Sequence, residues 1–307
     1  MIRIIAHIIF YTFSIVVAFA QVKSEEILIK NNGIELPGTL TYSKDKTPLL
    51  IWIHGSGNVD RNGNQLPYVK ANYIKQFRDS VNQHNIAFFS YDKRTANKKN
   101  MAVLKKGILF DSFISDAKKV ISHFKNDTRF SQIVLIGHSQ GSLVAMLASK
   151  NSNKYISLAG PSGFIDQKIV DQMKTKNPLI VTTLQEHFKE LKETGTIKKV
   201  NPSLVTMFNP QNTPFFKSWM QYNPSEEIKK VKIPVLIING TKDLQVSIED
   251  AKTLHTANSK SELVIIENMN HVLKHINKDE NNMNSYFSAD YSLSDKLIKT
   301  VVSFVKK

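Results

Sequence analysis

The fold class is decided by one stretch, Ile133-Val134-Leu135-Ile136-Gly137-His138-Ser139-Gln140-Gly141-Ser142. Its four apolar residues are typical of a strand buried on both faces of a parallel sheet, and a helical pattern begins at Ser142. Glycines two positions before and after Ser139 allow the sharp strand-to-helix turn known as a nucleophile elbow. Because this turn exposes the serine hydroxyl above a helix N-terminus, Ser139 is the candidate nucleophile. His138 is expected to pack beside it.

Similar apolar runs recur along the chain, and helical patterns separate them. The predicted strands lie at 49–53, 86–91, 133–136, 155–159, 235–238 and 263–266, and the predicted helices lie near 70–84, 110–126, 141–150, 246–257 and 293–306. A hairpin is predicted from short strands at 26–30 and 36–42 around the turn Asn31-Asn32-Gly33. The alternation predicts an α/β fold, with a mostly parallel central sheet and helices on both faces.

One interval is too long for this rhythm. A crossover between parallel strands needs only about a dozen residues, whereas residues 161–227 lie between two predicted strands. Helical patterns near 164–174 and 178–193 predict an inserted helical cap over the ligand-binding end of the sheet. Its aromatic residues either line an acyl pocket or pack the cap onto the sheet; they are Phe164, Phe208, Phe215, Phe216 and Trp219.

A serine hydroxyl needs a base to take its proton and a third group to orient that base. The predicted strand 235–238 runs into a tight loop that ends at Asp243, which puts a carboxylate at the carboxyl edge of the sheet. The alternative role for Asp243 is to cap the following helix. Ser247 fits that role better, because Asp250 follows three residues later. Asp243 is therefore the candidate orienting acid.

The base is expected in the loop after the last predicted strand, which runs into Glu267-Asn268-Met269-Asn270-His271. His275 lies four residues further on, a spacing that two metal ligands can share on a helix. No carboxylate accompanies this pair, and Lys274 would repel a cation. His271 is therefore the candidate base, no metal site is predicted, and His275 is expected at the surface. The order Ser139, Asp243, His271 is the one that follows a nucleophile elbow.

An oxyanion hole requires two backbone N–H groups aimed at the tetrahedral intermediate. One donor is expected from Gln140, the residue after the nucleophile. The other is expected from the glycine-rich loop His54-Gly55-Ser56-Gly57, which directly follows the predicted strand 49–53. Ser56 is the candidate donor there, with Gly55 as the alternative. A plain glycine turn is the simpler interpretation, but this loop lies at the same sheet edge as the other candidates.

These elements resemble the α/β-hydrolase superfamily over nearly all of residues 25–305. Three segments are similar to a group of bacterial esterases with a G-S-G-x-x-D-R loop: Gly55-Ser56-Gly57-Asn58-Val59-Asp60-Arg61, Tyr91-Asp92-Lys93-Arg94 and Leu158-Ala159-Gly160-Pro161. The resemblance implies a serine carboxylesterase that hydrolyses short acyl esters without a cofactor. A structural ion-pair network is expected near the site, formed by Asp60, Arg61, Asp92 and Arg94.

Other functions share the same residues. A peptidase of this fold usually carries an additional domain before the hydrolase, and residues 21–48 are too few for one. A thioesterase or acyltransferase uses the same nucleophile and base and stays an alternative. A non-catalytic binding protein of this fold would lose the triad, whereas all three candidate residues are present here.

Composition excludes several kinds of site. The chain has no cysteine, which excludes disulfides, thiolate zinc sites and a cysteine nucleophile. The net charge of +15 comes from lysines scattered along the chain rather than from one cluster. Without a basic patch interleaved with aromatic residues, this charge indicates a solvated surface and no nucleic-acid partner. The expected partner is a small ester, and the oligomeric state stays open.

The first twenty residues read as a signal peptide. Arg3 precedes an apolar run, and Ala18-Phe19-Ala20 is a small-x-small cleavage motif followed by polar residues. The run is also about long enough for an uncleaved membrane anchor. Cleavage near Ala20 would leave residues 21–307 as one hydrolase domain, exported to the periplasm or the medium and not inserted in the membrane.

Overall fold

A computed structural model describes residues 21–307; the predicted signal peptide lies outside the described residues. The strands are β1 (Lys23–Asn31), β2 (Ile34–Tyr42), β3 (Thr47–Ile53), β4 (Ala87–Tyr91), β5 (Phe130–His138), β6 (Lys154–Leu158), β7 (Val235–Gly240) and β8 (Glu262–Ile266). They form one eight-stranded sheet in the order β1-β2-β4-β3-β5-β6-β7-β8. The pairings β1–β2 and β2–β4 are antiparallel, and the pairings from β4 to β8 are parallel.

Helices follow most of the strands. They are α1 (Tyr73–Asn82), α2 (Met101–Leu104), α3 (Phe110–Phe124), α4 (Gln140–Ala148), α5 (Ile165–Lys176), α6 (Val181–Thr194), α7 (Thr213–Trp219), α8 (Pro224–Ile228), α9 (Ile248–Ala257), α10 (Asn282–Ser285) and α11 (Asp295–Lys306). Short 3₁₀ helices cover Lys98–Asn100, Ser149–Asn151, Pro178–Ile180, Pro202–Leu204 and Asp279–Asn281. This architecture confirms the predicted α/β fold.

The apolar runs are continuous because the sheet is covered on both faces. Successive side chains of a strand point to opposite faces. In β3, Leu49 and Ile51 accordingly join the core that contains α3 and α4, while Leu50 and Trp52 join the core that contains α1 and α11. A strand with one face in solvent would alternate polar and apolar residues. The continuous apolar runs therefore correctly indicated a sheet covered by helices on both faces.

The long interval between β6 and β7 contains α5 to α8. We call residues 161–227 the cap segment. Its helices bury a small apolar core of their own, formed by Val170, Leu184, Phe188, Leu191, Leu204, Phe208 and Met220. Within residues 21–307, no helix combines the length and the hydropathy that a bilayer crossing requires.

Candidate active site

Ser139 lies in the sharp turn between β5 and α4. Its φ of 55° and ψ of −121° are strained for a residue with a side chain, and its N–H donates to Leu158 O at 2.9 Å. A Cβ on Gly137 would lie 2.3 Å from Gly141 O, and a Cβ on Gly141 would lie 2.2 Å from Ile53 O. Both flanking glycines are therefore required for the close approach of three backbone segments at this turn.

His271 and Asp243 form a buried pair. His271 Nδ1 lies 2.8 Å from Asp243 Oδ2, and the two side chains are 5% and 1% exposed. The other carboxylate oxygen, Asp243 Oδ1, accepts from the backbone N–H groups of Gln245 at 2.7 Å and Val246 at 2.9 Å. These two hydrogen bonds to Oδ1 fix the orientation of the carboxylate, so that Oδ2 faces the imidazole of His271. The pair therefore has the geometry of a base and its orienting acid.

The loops that carry this pair are pressed together at the ends of β7 and β8. A Cβ on Gly240 would lie 2.0 Å from Met269 O, and Lys242 N–H donates to the same carbonyl at 3.0 Å. The Asn270 side chain donates to Asn282 Oδ1 and Ser285 Oγ at 3.0 and 2.7 Å. His271 is thus presented by a loop anchored on both sides.

His138 packs against His271, the candidate base. Its Nε2–H donates to the backbone carbonyl of His271 at 2.8 Å, and the two ring centroids are 4.8 Å apart. The Nδ1 atom of His138 is buried and has no hydrogen-bond partner within residues 21–307. Burial lowers the pKa of His138 to about 3, so the ring is neutral. His138 therefore supports the loop of His271 through this hydrogen bond.

His54 is a second buried neutral histidine, whose Nε2–H donates to Tyr91 O. Burial lowers the pKa of His54 to about 4. The unfolded chain protonates both histidines near their ordinary pKa of 6.5, so it binds more protons than the folded chain below that pH. We expect the free energy of unfolding to be unaffected by these groups above pH 6.5. It should fall as the pH is lowered towards 4, by on the order of 3 kcal/mol for each ring.

Urea unfolding at several pH values between 8 and 4.5 measures this loss. The His138→Gln variant keeps a donor for His271 O but does not titrate, so its stability should fall less steeply with acid than that of the wild type. The matched control is His84→Gln, because His84 is exposed. A stability that stays flat between pH 7 and 5 in the wild type would contradict the neutral assignment.

The two predicted oxyanion donors lie beside Ser139. Ser56 and Gln140 both border the cavity that contains Ser139. Within residues 21–307, neither backbone N–H donates to a protein acceptor. Gly55 explains how the two loops come close: a Cβ there would lie 3.3 Å from both Ser139 Cβ and His138 Nδ1. Two unpaired N–H groups at one cavity wall are the arrangement that stabilises a developing oxyanion.

Lys93 is a site residue that the sequence interpretation did not assign a role. Its side chain is buried after β4, and Nζ donates to Gly55 O and to Gln140 Oε1, each at 2.7 Å. Nζ also lies 4.2 Å from the centroid of the Phe113 ring. Burial lowers the pKa of Lys93 to about 7. The available signal in the sequence was the position of Lys93 between Asp92 and Arg94, directly after a buried strand.

The expected ion-pair network is confirmed only for Arg61 and Asp92. Arg61 does pair with Asp92, through Nε to Oδ1 at 2.9 Å and Nη2 to Oδ2 at 3.0 Å. Arg94 instead binds Asp116 on α3, through Nε to Oδ2 at 2.6 Å and Nη2 to Oδ1 at 2.7 Å. Asp60 accepts backbone N–H groups of its own loop. The Arg61–Asp92 pair thus joins the segments that follow β3 and β4, whereas Arg94 joins the segment after β4 to α3. His275 is exposed, as predicted.

Ser139 lies between two cavities. The larger, of about 610 Å³, extends under the cap segment and is walled by Ile165, Phe215, Phe216 and Trp219. The smaller, of about 250 Å³, is bordered by His271, Tyr286 and Phe287. Of the two roles left open for the aromatic residues, Phe215, Phe216 and Trp219 border the larger cavity. Phe208, which is 1% exposed, packs inside the cap core instead, and Phe164 borders neither cavity.

Comparison with known proteins gives a consistent result. The BD-FAE family matches residues 39–257. The esterase EstD of Thermotoga maritima is 24% identical over 259 residues, which cover 81% of this chain and 60% of the relative; the chain thus spans less than two thirds of that protein.

Two solved structures share the fold. Est1E from Butyrivibrio proteoclasticus has a TM-score of 0.58 and 18% identity, over 92% of this chain and 96% of its own. The Pyrococcus furiosus esterase Pf2001 has a TM-score of 0.61 and 17% identity, over 92% and 91%. From the family match and the shared architecture, the chain belongs to the BD-FAE family and has the α/β-hydrolase fold.

Proposed function

We propose that this protein is a serine carboxylesterase that hydrolyses short acyl esters through an acyl-enzyme on Ser139. His271 is the general base, Asp243 orients it, and the backbone N–H groups of Ser56 and Gln140 form the oxyanion hole. The observation that carries the proposal is the buried hydrogen bond between His271 Nδ1 and Asp243 Oδ2 at 2.8 Å, in a loop that borders the same cavity as Ser139. The esterase relatives named above support the same reaction class.

The proposed mechanism follows from the hydrogen bond between His271 Nδ1 and Asp243, which leaves Nε2 of the ring free to react. Because Nδ1–H of His271 donates to Asp243, the neutral ring presents an unprotonated Nε2, which accepts the proton of Ser139 Oγ. Ser139 Oγ attacks the ester carbonyl carbon, and the resulting oxyanion accepts hydrogen bonds from the backbone N–H groups of Ser56 and Gln140. The imidazolium then returns its proton to the leaving alcohol. A water activated by the same ring releases the acid and regenerates Ser139.

The two cavities divide the substrate between them. The leaving oxygen must receive a proton from His271, so the alcohol part belongs in the smaller cavity that His271 borders. The acyl part then extends into the larger cavity, where the cap segment supplies aromatic and aliphatic walls. Burial of acyl methylene groups against these walls contributes binding at about 0.8 kcal/mol for each group.

A p-nitrophenyl ester series from acetate to palmitate tests the substrate class. We expect hydrolysis of the short esters well above the level of a Ser139→Ala blank. The Phe215→Ala variant, which removes one wall of the larger cavity, should raise KM for butyrate more than for acetate. Its matched control is Phe130→Ala, an aromatic residue on β5 that does not border this cavity.

The alternatives give different results in the same experiment. Preferred hydrolysis of palmitate would contradict the short-acyl assignment. Labelling of Ser139 by a fluorophosphonate without turnover of any ester would favour a peptidase or a thioesterase, and peptide and thioester substrates would then separate the two. A protein inert to the probe would be a binding protein that keeps the fold.

Export is part of the same proposal. It depends on Arg3, the apolar run after it and the Ala18-Phe19-Ala20 motif, which lie outside the described residues. A secreted or periplasmic location after cleavage near Ala20 would place the esterase where extracellular esters reach it.

A further inference from the structure

Lys93 connects the two loops that carry the oxyanion donors. One of its hydrogen bonds is to Gly55 O in the loop after β3, and the other is to Gln140 Oε1 at the start of α4. Within residues 21–307, Nζ is the only hydrogen-bond donor to Gly55 O, and Lys93 forms no ion pair with a carboxylate. A buried amine whose only hydrogen bonds go to a carbonyl oxygen and an amide oxygen, with the Phe113 ring beside it, has a local structural task that charge pairing does not explain.

The bond to Gly55 O determines where Ser56 N–H points. In a trans peptide, the C=O of one residue and the N–H of the next lie in one plane and point in opposite directions. With Gly55 O held towards Lys93, Ser56 N–H must point away from Lys93. That N–H has no protein acceptor, and Ser56 borders the cavity in front of Ser139.

The orientation of the Gly55–Ser56 peptide is not fixed by local sterics alone. Gly55 has no Cβ, so the ψ angle of Gly55, about which this peptide turns, is less restricted than in other residues. A rotation of the Gly55–Ser56 peptide by half a turn would aim the carbonyl at Ser139 and withdraw the N–H. The oxyanion would then meet a carbonyl oxygen, which repels it, in place of a donor.

The second bond secures the other donor. Gln140 supplies its backbone N–H to the proposed hole, and the residue as a whole is 3% exposed. By accepting from Nζ, Gln140 Oε1 keeps that side chain away from Ser139 and ties the first turn of α4 to the loop after β3. One amine therefore sets the distance between the two donor segments.

We propose that Lys93 is a positioning residue that holds the Gly55–Ser56 peptide in the orientation required of an oxyanion donor. The inference rests on the proposed acyl-transfer function of Ser139. It does not depend on the charge of Lys93, because a neutral amine keeps two N–H donors, enough for both bonds. The lowered pKa of Lys93 is therefore compatible with this role on either side of neutral pH.

The Lys93→Met variant tests the proposal, since methionine keeps the apolar stem and removes every donor. We expect kcat for p-nitrophenyl butyrate to fall about 100-fold and KM to change less than about threefold, because the hole acts on the transition state. A crystal structure of the variant should show the Gly55–Ser56 peptide rotated. The matched control is Lys154→Met: Lys154 Nζ also donates to a backbone carbonyl, Phe304 O at 2.9 Å, and lies over the Phe304 ring. It stands at the start of β6, away from the site, so its kcat should match the wild type.

An unrotated peptide in the Lys93→Met crystal overturns the inference, even if kcat falls, because the loss would then come from charge. An unchanged kcat overturns it as well. A second measurement needs no variant: in the fluorophosphonate adduct of the full wild-type protein, the phosphonyl oxygen should accept from Ser56 N and Gln140 N while Lys93 stays on Gly55 O. Any other pair of donors contradicts the proposal. If the wild type hydrolyses no ester, the esterase function fails, yet the peptide orientation still decides the role of Lys93.

Discussion

The Ser139→Ala variant is expected to hydrolyse p-nitrophenyl butyrate with a kcat about 10⁶-fold below that of the wild-type protein. Without Oγ no acyl-enzyme forms, and the base has no proton to remove. Residual catalysis of about 10³-fold over water should persist, because the oxyanion donors and the cavity walls are untouched. Steady-state kinetics, with a fluorophosphonate labelling experiment on both proteins, measures the effect.

Ser142→Ala is the matched control for this variant. Ser142 lies three residues after Ser139, in the first turn of α4, is buried, and its Oγ contacts Tyr155 OH and Ser157 Oγ, each at 2.8 Å. Its loss should lower the free energy of unfolding by about 1–3 kcal/mol and leave kcat within about threefold. If Ser139→Ala keeps more than a tenth of the wild-type kcat, Ser139 is not the nucleophile.

The second large effect is expected at Asp243. In the Asp243→Asn variant, the amide oxygen can still accept from the N–H groups of Gln245 and Val246, as Oδ1 does now. The amide NH₂ then faces His271 Nδ1 and holds the ring in the tautomer that has its proton on Nε2. That nitrogen can no longer accept a proton from Ser139, so kcat should fall about 10⁴-fold at pH 7. Kinetics across a pH series and a thermal melt measure the change.

Asp279→Asn is the matched control, because it also removes one carboxylate near the loop. Asp279 Oδ1 pairs with Lys242 Nζ at 2.7 Å, but its side chain is 78% exposed, so the substitution should affect neither kcat nor folding. A kcat for Asp243→Asn within tenfold of the wild type, with normal folding, would show that the orienting acid is another group.

Much of the fold could be predicted because short stretches of the sequence are enough to identify the buried strands. Each strand predicted for the parallel part of the sheet was an apolar run, and the carboxyl ends of parallel strands meet at one edge of the sheet. Ser139, Asp243 and His271 all follow such ends. Their proximity was therefore predictable from chain order alone, and the structure brings Asp243 and His271 to 2.8 Å.

Contacts that depend on helix rotation and loop path were not predictable. Arg94 was expected to belong to one ion-pair network with Asp60, Arg61 and Asp92, yet it binds Asp116. The register of α3 against the sheet decides which face of that helix meets the segment after β4. Phe208 was a plausible cavity residue by type. It is buried in the cap core because packing inside the cap segment, not aromatic character, determines which ring faces the cavity.

The sequence by itself therefore determined the parallel sheet, the strained turn at Ser139 and the candidate triad. Each of these follows from short-range sequence patterns, namely the apolar runs and the glycines on either side of Ser139. Only the tertiary structure decided that Lys93 lies between Gly55 O and Gln140 Oε1. That contact joins three segments far apart in the chain. The periodicity of a sequence does not predict which buried carbonyl a long side chain will reach.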